Sequence, residues 1–370
     1  MFKLEMRPEP SRLMGLCSPL LAAVLTLASG FVMFSLLGTS PAEAFYVFFI
    51  KAFTSEYGLG ELALKSTPLI LCAIGLAVGF RANVWNIGAE GQLTIGALAG
   101  AGVGLFVPLD APWLMPLMLL AGIAGGMAWA AVPAFLRTRF NTSEILVSLM
   151  LVYVAKLLLL WLVHGPWRDP DGFNFPQSAM LSDAATLTPL IEGTRVTGAL
   201  LLSLLLVGAI WFLVDKTLAG YRMRVAGLAP AAARYAGFSE KRNVWLALLL
   251  SGATAGLAGI CEVAGPIGQL QPQISPGYGF AAIIVAFVGR LHPVGVVLAS
   301  VLMSLLYLGG ESAQMELQLP AAITGLFQGM LLFYLLAADL FINFRLVRKQ
   351  APKRVVASAG TVPAIEKDAA

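Results

Sequence analysis

The sequence FRANVWNIGAEGQ, residues Phe80–Gln92, decides the fold. It lies between two apolar runs that are each long enough to enter a bilayer, yet it contains an Arg, two Asn, a Glu and a Gln. Polar groups that interrupt membrane spans are unfavourable in lipid, so they usually face a protein interior or an aqueous path. The segment therefore predicts a membrane transport protein with this stretch near its pathway.

The rest of the chain has the composition of a helical membrane protein. Its 370 residues are 58% hydrophobic and only 12% charged, about half the charge of a soluble domain. The apolar runs do not alternate apolar and polar residues as the strands of a membrane barrel do. We predict an all-α polytopic membrane protein of one membrane domain with ten transmembrane helices. They are predicted at 14–38, 61–80, 88–107, 113–135, 144–164, 196–214, 244–264, 278–289, 294–310 and 321–343.

Positive charge orients these spans. Nineteen of the 24 Lys and Arg residues fall on one side of the predicted membrane, four fall on the other, and Lys156 lies within a span. Cytoplasmic segments are enriched in Lys and Arg, so both termini are expected inside, as an N-terminus of residues 1–13 and a tail of residues 344–370 around a membrane domain of 14–343. This bias explains the basic excess without a nucleic-acid partner. Lys156 is expected either to pair with an acid on another helix or to snorkel.

Ten spans divide into two halves of five, and an odd number places the second half upside down relative to the first. The counterpart of the opening segment follows the seventh span and reads EVAGPIGQLQPQISPGY, residues Glu262–Tyr278. The next run, 278–289, would rise only about 18 Å, too little to cross about 30 Å of hydrocarbon. We therefore predict an inverted repeat with a broken or re-entrant helix, and a central site where the two interrupted segments correspond.

Asn86 and Glu90 allow two interpretations at the start of the third span. Asn86 suits a helix cap, and the free amides of a first helical turn favour a negative side chain such as Glu90. In this interpretation the polar residues stabilise a buried helix start. In the other interpretation Glu90 contacts the transported substrate. The two are compatible and stay open from sequence alone.

The inner loop 215–243 has an ordered pattern. Pro230 precedes strong helix formers, and Gly237 suits a C-terminal cap. This pattern predicts a short helix that projects from the membrane and docks a partner, rather than a solvated basic loop. Residues 41–53 are expected to form a short interfacial helix on the outside.

The sequence offers no catalytic or metal-binding motif. It has no phosphate-binding G-x-x-x-x-G-K-[ST], no nucleophile elbow and no zinc-protease motif, so no catalytic and no metal-binding residue is proposed. Ion-coupled carriers usually need buried carboxylates, and acids within the spans are few. A pump driven by a partner ATPase is therefore favoured, and an ion-coupled secondary transporter is the alternative.

Three blocks resemble permease subunits of ABC importers in the branched-chain amino acid, ribose and nucleoside superfamily. The Asn-Ile-Gly-Ala-Glu-Gly-Gln block at 86–92 resembles the nucleoside-type branch most. The inner block AGLAPAAARYAG at 226–237 resembles the family's ATPase-coupling loop, and GYGFAAIIVAFVGRLHPVG at 277–295 resembles its later signature. The resemblance covers about residues 60–340, in order.

This resemblance implies a permease in a bacterial cell (inner) membrane that works with a second related permease, ABC ATPase subunits and an extracytoplasmic substrate-binding protein. It implies no cofactor of its own, because ATP is bound by the ATPase. Nucleosides or purine-like compounds are the expected cargo, and simple sugars are the alternative. The implied translocation-path candidates are Asn83, Asn86, Gly88, Glu90, Gln92, Gln269, Gln273 and Tyr278. The implied coupling-loop residues are Gly227, Pro230, Ala233, Arg234, Tyr235 and Gly237.

Overall fold

The computed structural model describes residues 2–7, 12–107 and 112–348. Thirteen α-helices and two short strands are present in this part of the chain. The ten that correspond to predicted spans are α1 (Arg12–Leu36), α3 (Glu56–Arg81), α4 (Ala89–Phe106), α5 (Leu114–Phe140), α6 (Glu144–His164), α7 (Ala199–Lys216), α10 (Glu240–Glu262), α11 (Tyr278–Val288), α12 (Pro293–Leu317) and α13 (Ala322–Asn343). The others are α2 (Pro41–Phe45), α8 (Leu218–Leu228), α9 (Pro230–Tyr235), β1 (Phe2–Met6) and β2 (Phe344–Arg348).

The prediction of an all-α polytopic membrane protein is confirmed. Eight of the described helices are long and apolar enough to cross a membrane. The two remaining predicted spans are α4, which begins with polar residues, and α11, which has only 11 residues. A non-helical stretch, 268–277, precedes α11, as expected for an interrupted span.

In chain order the helices form two groups of four with similar contacts, α3–α6 and α10–α13. In the first group α4 contacts α5 and α6, and α5 contacts α6; in the second, α11 contacts α12 and α13, and α12 contacts α13. Contacts between the groups follow the same correspondence, since α4 and α5 pack on α10 while α11 and α12 pack on α3. The remaining helix of each predicted half is placed differently, because α1 packs mainly on α13 whereas α7 packs on α3. The repeated core is therefore four plus four, with one differently placed helix added to each group.

Close backbone contact at glycine holds the centre of this core together. A Cβ built at Gly256 of α10 would lie 2.3 Å from the carbonyl oxygen of Gly122 of α5. One built at Gly96 of α4 would lie 2.2 Å from the Cα of Gly256. Three helices can therefore meet here only because they carry no side chain at the crossing, which is how helices associate closely in lipid.

An antiparallel strand pair, not predicted from the sequence, is formed by Phe2–Met6 and Phe344–Arg348. Phe2 pairs with Arg348 and Met6 with Phe344, so β1 and β2 lie side by side. This pairing puts both ends of the membrane domain on the same side. The predicted tail continues from residue 349 outside the described residues.

The connecting segments agree in part with prediction. Residues 41–53 form α2, a π-helical turn and a 3₁₀ turn in succession, as predicted for a short outer helix. The inner loop contains the predicted helix, α9, which starts at Pro230 and is followed by Gly237 with a φ of 77°. It also contains α8, in a stretch where the sequence predicts a loop.

We predict that Gly256→Ala disrupts the core, because the added methyl group meets backbone atoms that cannot move independently. Gly208→Ala, also within a span, has open space around the added methyl group and serves as the matched control. Thermal unfolding and size-exclusion profiles in detergent should show a large loss of folded protein for the first variant and none for the second. Equal stability of the two variants would contradict the packing argument.

Candidate functional site

The stretch between α3 and α4 is a non-helical segment whose backbone amides are bonded by side chains. The amide of Trp85 donates to Glu144 Oε1 at 3.3 Å, and the amide of Ile87 donates to Ser148 Oγ at 3.2 Å. The amide of Gly88 donates to the side-chain oxygen of Asn86 at 2.9 Å. Backbone groups inside a bilayer have no water to bond, so these side chains allow the chain to leave the helical path here.

Asn86 and Gln92 form a buried pair of amides at the start of α4. Asn86 Nδ2 donates to Gln92 Oε1 and to Ser251 Oγ, each at 2.8 Å, and Gln92 Nε2 donates back to Asn86 Oδ1 at 3.2 Å. Each of these two residues is 1% exposed. Their polar groups are therefore used within the protein, where they fasten α4 to α10.

Glu90 connects the two interrupted segments. Its Oε2 atom accepts a hydrogen bond from the amide of Gly279 at 2.8 Å and another from Ser275 Oγ at 3.2 Å. Glu90 lies in the first turn of α4 and Gly279 in the first turn of α11, so the carboxyl group lies where the free amides of two helix starts converge. Glu90 is 1% exposed, and its carboxyl group joins the starts of α4 and α11.

The close approach of α11 to α4 needs glycine at 279. A Cβ there would lie 2.2 Å from the backbone nitrogen of Glu90. The far end of α11 also contacts the first segment, because Phe287 stacks on Phe80 with a centroid distance of 5.2 Å and on Trp85 at 5.8 Å. The short helix therefore lies along the segment from Phe80 to Glu90 and is held at both ends.

The second interrupted segment is supported by the long outer loop. The Ser178 amide donates to the Leu270 carbonyl oxygen at 3.0 Å, and the Leu270 amide donates to Ser178 Oγ at 2.9 Å. Gln269 Nε2 donates to Gln177 Oε1 at 3.1 Å. At the start of α11, Ser275 Oγ accepts from the amides of Gly277 and Tyr278. The loop thus supplies partners to backbone that would otherwise lack them.

A cavity of about 430 Å³ opens beside Glu90. Its volume falls in the range of small-molecule sites, roughly 300–1,000 Å³. Helices α4, α6 and α11 and the second interrupted segment form its walls. The side chains that give it chemical character are Glu90, Thr94, Lys156, Gln273, Ser275 and Phe280.

The sequence-predicted path residues are distributed over several locations. Glu90 and Gln273 line the cavity. The remaining candidates lie elsewhere: Asn86, Gly88, Gln92 and Tyr278 are buried in packing, Asn83 lies at the inner end of the first segment, and Gln269 contacts the outer loop.

Several residues of this site carry no distinctive sequence signal. Ser148, Ser251 and Ser275 each accept or donate a hydrogen bond that holds an interrupted segment. Ser148 and Ser251 lie in helices and Ser275 in the non-helical stretch before α11, and none of the three belongs to a recognisable motif. Lys156 is recognisable as a charge within a span, but the sequence does not reveal its neighbour. In the structure its ammonium lies 5.8 Å from the centroid of the Phe280 ring.

The inner end of the site contacts the inner loop. A Cβ at Gly227 of α8 would lie 2.2 Å from the carbonyl oxygen of Arg81, where α3 ends. Asp215 pairs with Arg224 of α8 at 2.6 Å and with Arg81 at 3.4 Å. The loop helices therefore touch the first interrupted segment directly.

The coupling-loop candidates differ in accessibility. Tyr235 is 97% exposed, and Pro230, Arg234 and Gly237 are also exposed. Ala233 is 3% exposed and lies against the protein. A docking partner can therefore contact Tyr235 but not Ala233.

The outer end of α3 is fastened by a two-bonded ion pair. Arg195, in the loop before α7, donates through Nε and Nη2 to the two carboxyl oxygens of Glu61 at 2.9 and 2.6 Å. These bonds to Glu61 raise the pKa of Arg195 above its already high value, against the lowering effect of burial. The outer loop is thus bonded both to α3 and to the second interrupted segment.

The family model and the most similar relatives all describe permease components of transport systems. The family described as branched-chain amino acid transport system / permease component matches residues 58–336. A glucose ABC transporter permease protein of Haloferax volcanii is 38% identical over 338 residues, covering 89% of each chain. A guanosine ABC transporter permease protein of Bacillus subtilis is 30% identical over 348 residues, covering 92% of this chain and 99% of that protein.

Solved structures are more distant. The structure of PsaBC from Streptococcus pneumoniae in complex with Fab aligns with a TM-score of 0.42 and 10% identity, over 78% of this chain and 91% of that chain. This likeness adds nothing to the sequence relationships.

We predict that Glu90→Ala lowers the stability of the membrane domain, because the Gly279 amide and Ser275 hydroxyl lose their acceptor. A buried donor that loses its acceptor costs about 1–3 kcal/mol. Glu90→Gln keeps an acceptor oxygen and should lose less. Thermal unfolding of the purified chain measures this order. If Glu90→Ala unfolds like the wild type yet transports poorly, substrate contact becomes the main role of this residue.

Proposed function

This chain belongs to the family of permease components of branched-chain amino acid transport systems, and from its nucleoside-permease relatives we propose that it carries nucleosides or purine-like compounds. The chain is a multi-pass membrane permease of the ABC transporter class and not an enzyme. The observation that supports a transport role in its own residues is the convergence of two helix starts on Glu90 beside a polar cavity. Interrupted helices of two related halves form the central sites of many transporters.

The nucleoside assignment is supported by relatives and by the cavity. A guanosine permease protein and a nucleoside permease protein of Lactococcus lactis, 27% identical over 345 residues, align along about nine-tenths of this chain. The cavity offers an aromatic ring, Phe280, and hydrogen-bonding groups, Lys156 and Gln273, at one place. A planar base with ring nitrogens and carbonyl oxygens can use both.

A simple sugar is the second candidate. It is favoured by the glucose permease relative, which at 38% identity resembles this chain more than the guanosine permease does. A sugar would also find hydrogen-bonding partners in the cavity. The ABC permease relatives leave no support for the alternative of an ion-coupled carrier.

ABC permeases work with ATPase and permease partners, and we propose their arrangement here. ATP is bound by an ATPase subunit on the inner face, so the permease carries no cofactor. A second related permease completes the pathway, and an extracytoplasmic binding protein delivers cargo. The bilayer is a bacterial inner membrane, with both termini in the cytoplasm, since Lys and Arg concentrate on the side of the termini.

Helices α8 and α9 are the proposed coupling element. Tyr235 projects fully from α9, which suits a contact with the ATPase. Gly227 touches the end of α3 at Arg81, and the segment from Arg81 leads within nine residues to Glu90. A displacement of α8 would therefore reach the bridge between α4 and α11 through packed backbone.

The transport assignment is tested with the chain co-expressed with its ATPase, partner permease and binding protein. We expect uptake of labelled guanosine that stops when the ATPase is inactivated and persists when an uncoupler dissipates the proton gradient. Unlabelled nucleosides should compete and glucose should not. Competition by glucose alone would select the sugar assignment, and uptake that collapses with the uncoupler would refute ATP-driven import.

Tyr235 provides the test of coupling. We expect Tyr235→Ala to lower cargo-stimulated ATP hydrolysis and uptake about tenfold, because an exposed aromatic anchor at a docking surface contributes roughly 1–2 kcal/mol or more. Tyr235→Phe keeps the ring and should behave nearly as wild type. Normal uptake by Tyr235→Ala at normal expression would remove α9 from the docking surface.

A further inference from the structure

Lys156 occupies an unusual place for a membrane helix. It is exposed on the surface of the single chain, eight residues before the end of α6 at His164. Eight residues rise about 12 Å, so the side chain begins well inside the hydrocarbon layer. A lysine at this depth is unfavourable against lipid, and such residues face a protein or an aqueous cavity.

The flank of α6 that carries Lys156 is turned toward the cavity. The buried face of this helix contains Val152, Ala155 and Leu159. Lys156 and Leu160 lie one turn apart beside that face, and both line the cavity. Val154 lies on the opposite flank and is also exposed, so the two flanks of one helix can be compared directly.

The ammonium group of Lys156 has few partners. No acid lies within 4 Å of it in the part of the chain that the structure describes, which leaves the expectation of an ion pair unmet. Its distance of 5.8 Å from the Phe280 ring centroid is near the outer limit of a cation–π contact, about 6 Å. Three donor hydrogens are thus available to a molecule that enters the cavity.

The remaining cavity groups define the class of molecule. Phe280 presents a ring for stacking, and Gln273 presents an exposed amide whose nitrogen also donates to the Ser275 carbonyl oxygen at 3.4 Å. A ligand with a flat face and several acceptor atoms suits the Phe280 ring and the donor groups of Lys156 and Gln273. A nucleobase has this combination, whereas a sugar lacks the flat face with acceptors in its plane.

We propose that the cavity between α4, α6 and α11 is a cargo-binding site on the translocation path, in which Lys156 and Gln273 hydrogen-bond the base of a nucleoside that stacks on Phe280. This proposal rests on the function proposed above and names the residues that recognise the cargo. It also places the Lys156 flank of α6 on the aqueous path.

The first experiment measures access to water without relying on transport. In the intact transporter, Cys17→Ala removes the exposed cysteine while Cys72 and Cys261 are buried. Lys156→Cys and Val154→Cys are then each treated with a permanently charged methanethiosulfonate reagent. We expect the cysteine at 156 to react at least ten times faster than the one at 154. Equal, slow reaction at both positions would overturn the proposal whether or not ATP-driven uptake is found.

The second experiment tests which compound the cavity binds. With the loaded binding protein present, guanosine should slow the reaction at position 156 at least threefold, and glucose should not. If the cysteine at 156 reacts fast and neither compound slows it, or if glucose alone slows it, the cavity is not a base-binding site.

Uptake assays provide an independent test. Lys156→Met should raise the KM for guanosine about tenfold, Lys156→Arg should restore it to within threefold, and Val154→Met should leave it unchanged. An unaltered KM in Lys156→Met also overturns the proposal, while ATP-dependent uptake by the wild type leaves the proposed function standing.

Discussion

Backbone amides that leave a helix inside a bilayer must find partners in the protein, because lipid provides none. In this permease the two interrupted segments meet this requirement together. Glu144, Ser148 and Asn86 accept the amides of the first segment, and the outer loop pairs with the second. Glu90 then joins the two by accepting the amide of Gly279. These bonds hold the starts of α4 and α11 against each other, and the cavity opens beside that junction.

Glycine packing accompanies these hydrogen bonds at two places in the core. Around Gly256 three helices touch through backbone, and no side chain is available to rearrange. At Gly279 the start of α11 likewise touches the backbone of Glu90, and the Glu90 carboxyl group accepts hydrogen bonds from the Gly279 amide and the Ser275 hydroxyl group. Both crossings depend on glycine, and the second is also fastened by side-chain hydrogen bonds.

The sequence predicts the helices of this fold from local patterns, but it does not predict the contacts between residues that are far apart in the chain. Apolar length locates ten of the described helices, eight of which are long and apolar enough to cross a membrane, and the Pro230–Gly237 pattern locates α9. The hydrogen bond between Glu90 and Gly279 joins residues 189 positions apart. The sequence around a serine likewise does not indicate which backbone amide its hydroxyl group will accept. For this reason, sequence groups Asn86 and Gln92 with Glu90 as path candidates, whereas the structure turns their amides toward each other. Helix α8 and the strand pair are likewise formed by neighbours that local sequence does not specify.

The packing of α1 on α13 and the pairing of β1 with β2 join parts of the chain that are far apart in sequence. During synthesis α1 is made before α13, so it enters the membrane without its main partner. Residues 37–321 are translated between these two helices, and β2 follows α13. The contact between α1 and α13 and the strand pair therefore form only after most of the membrane domain has been made.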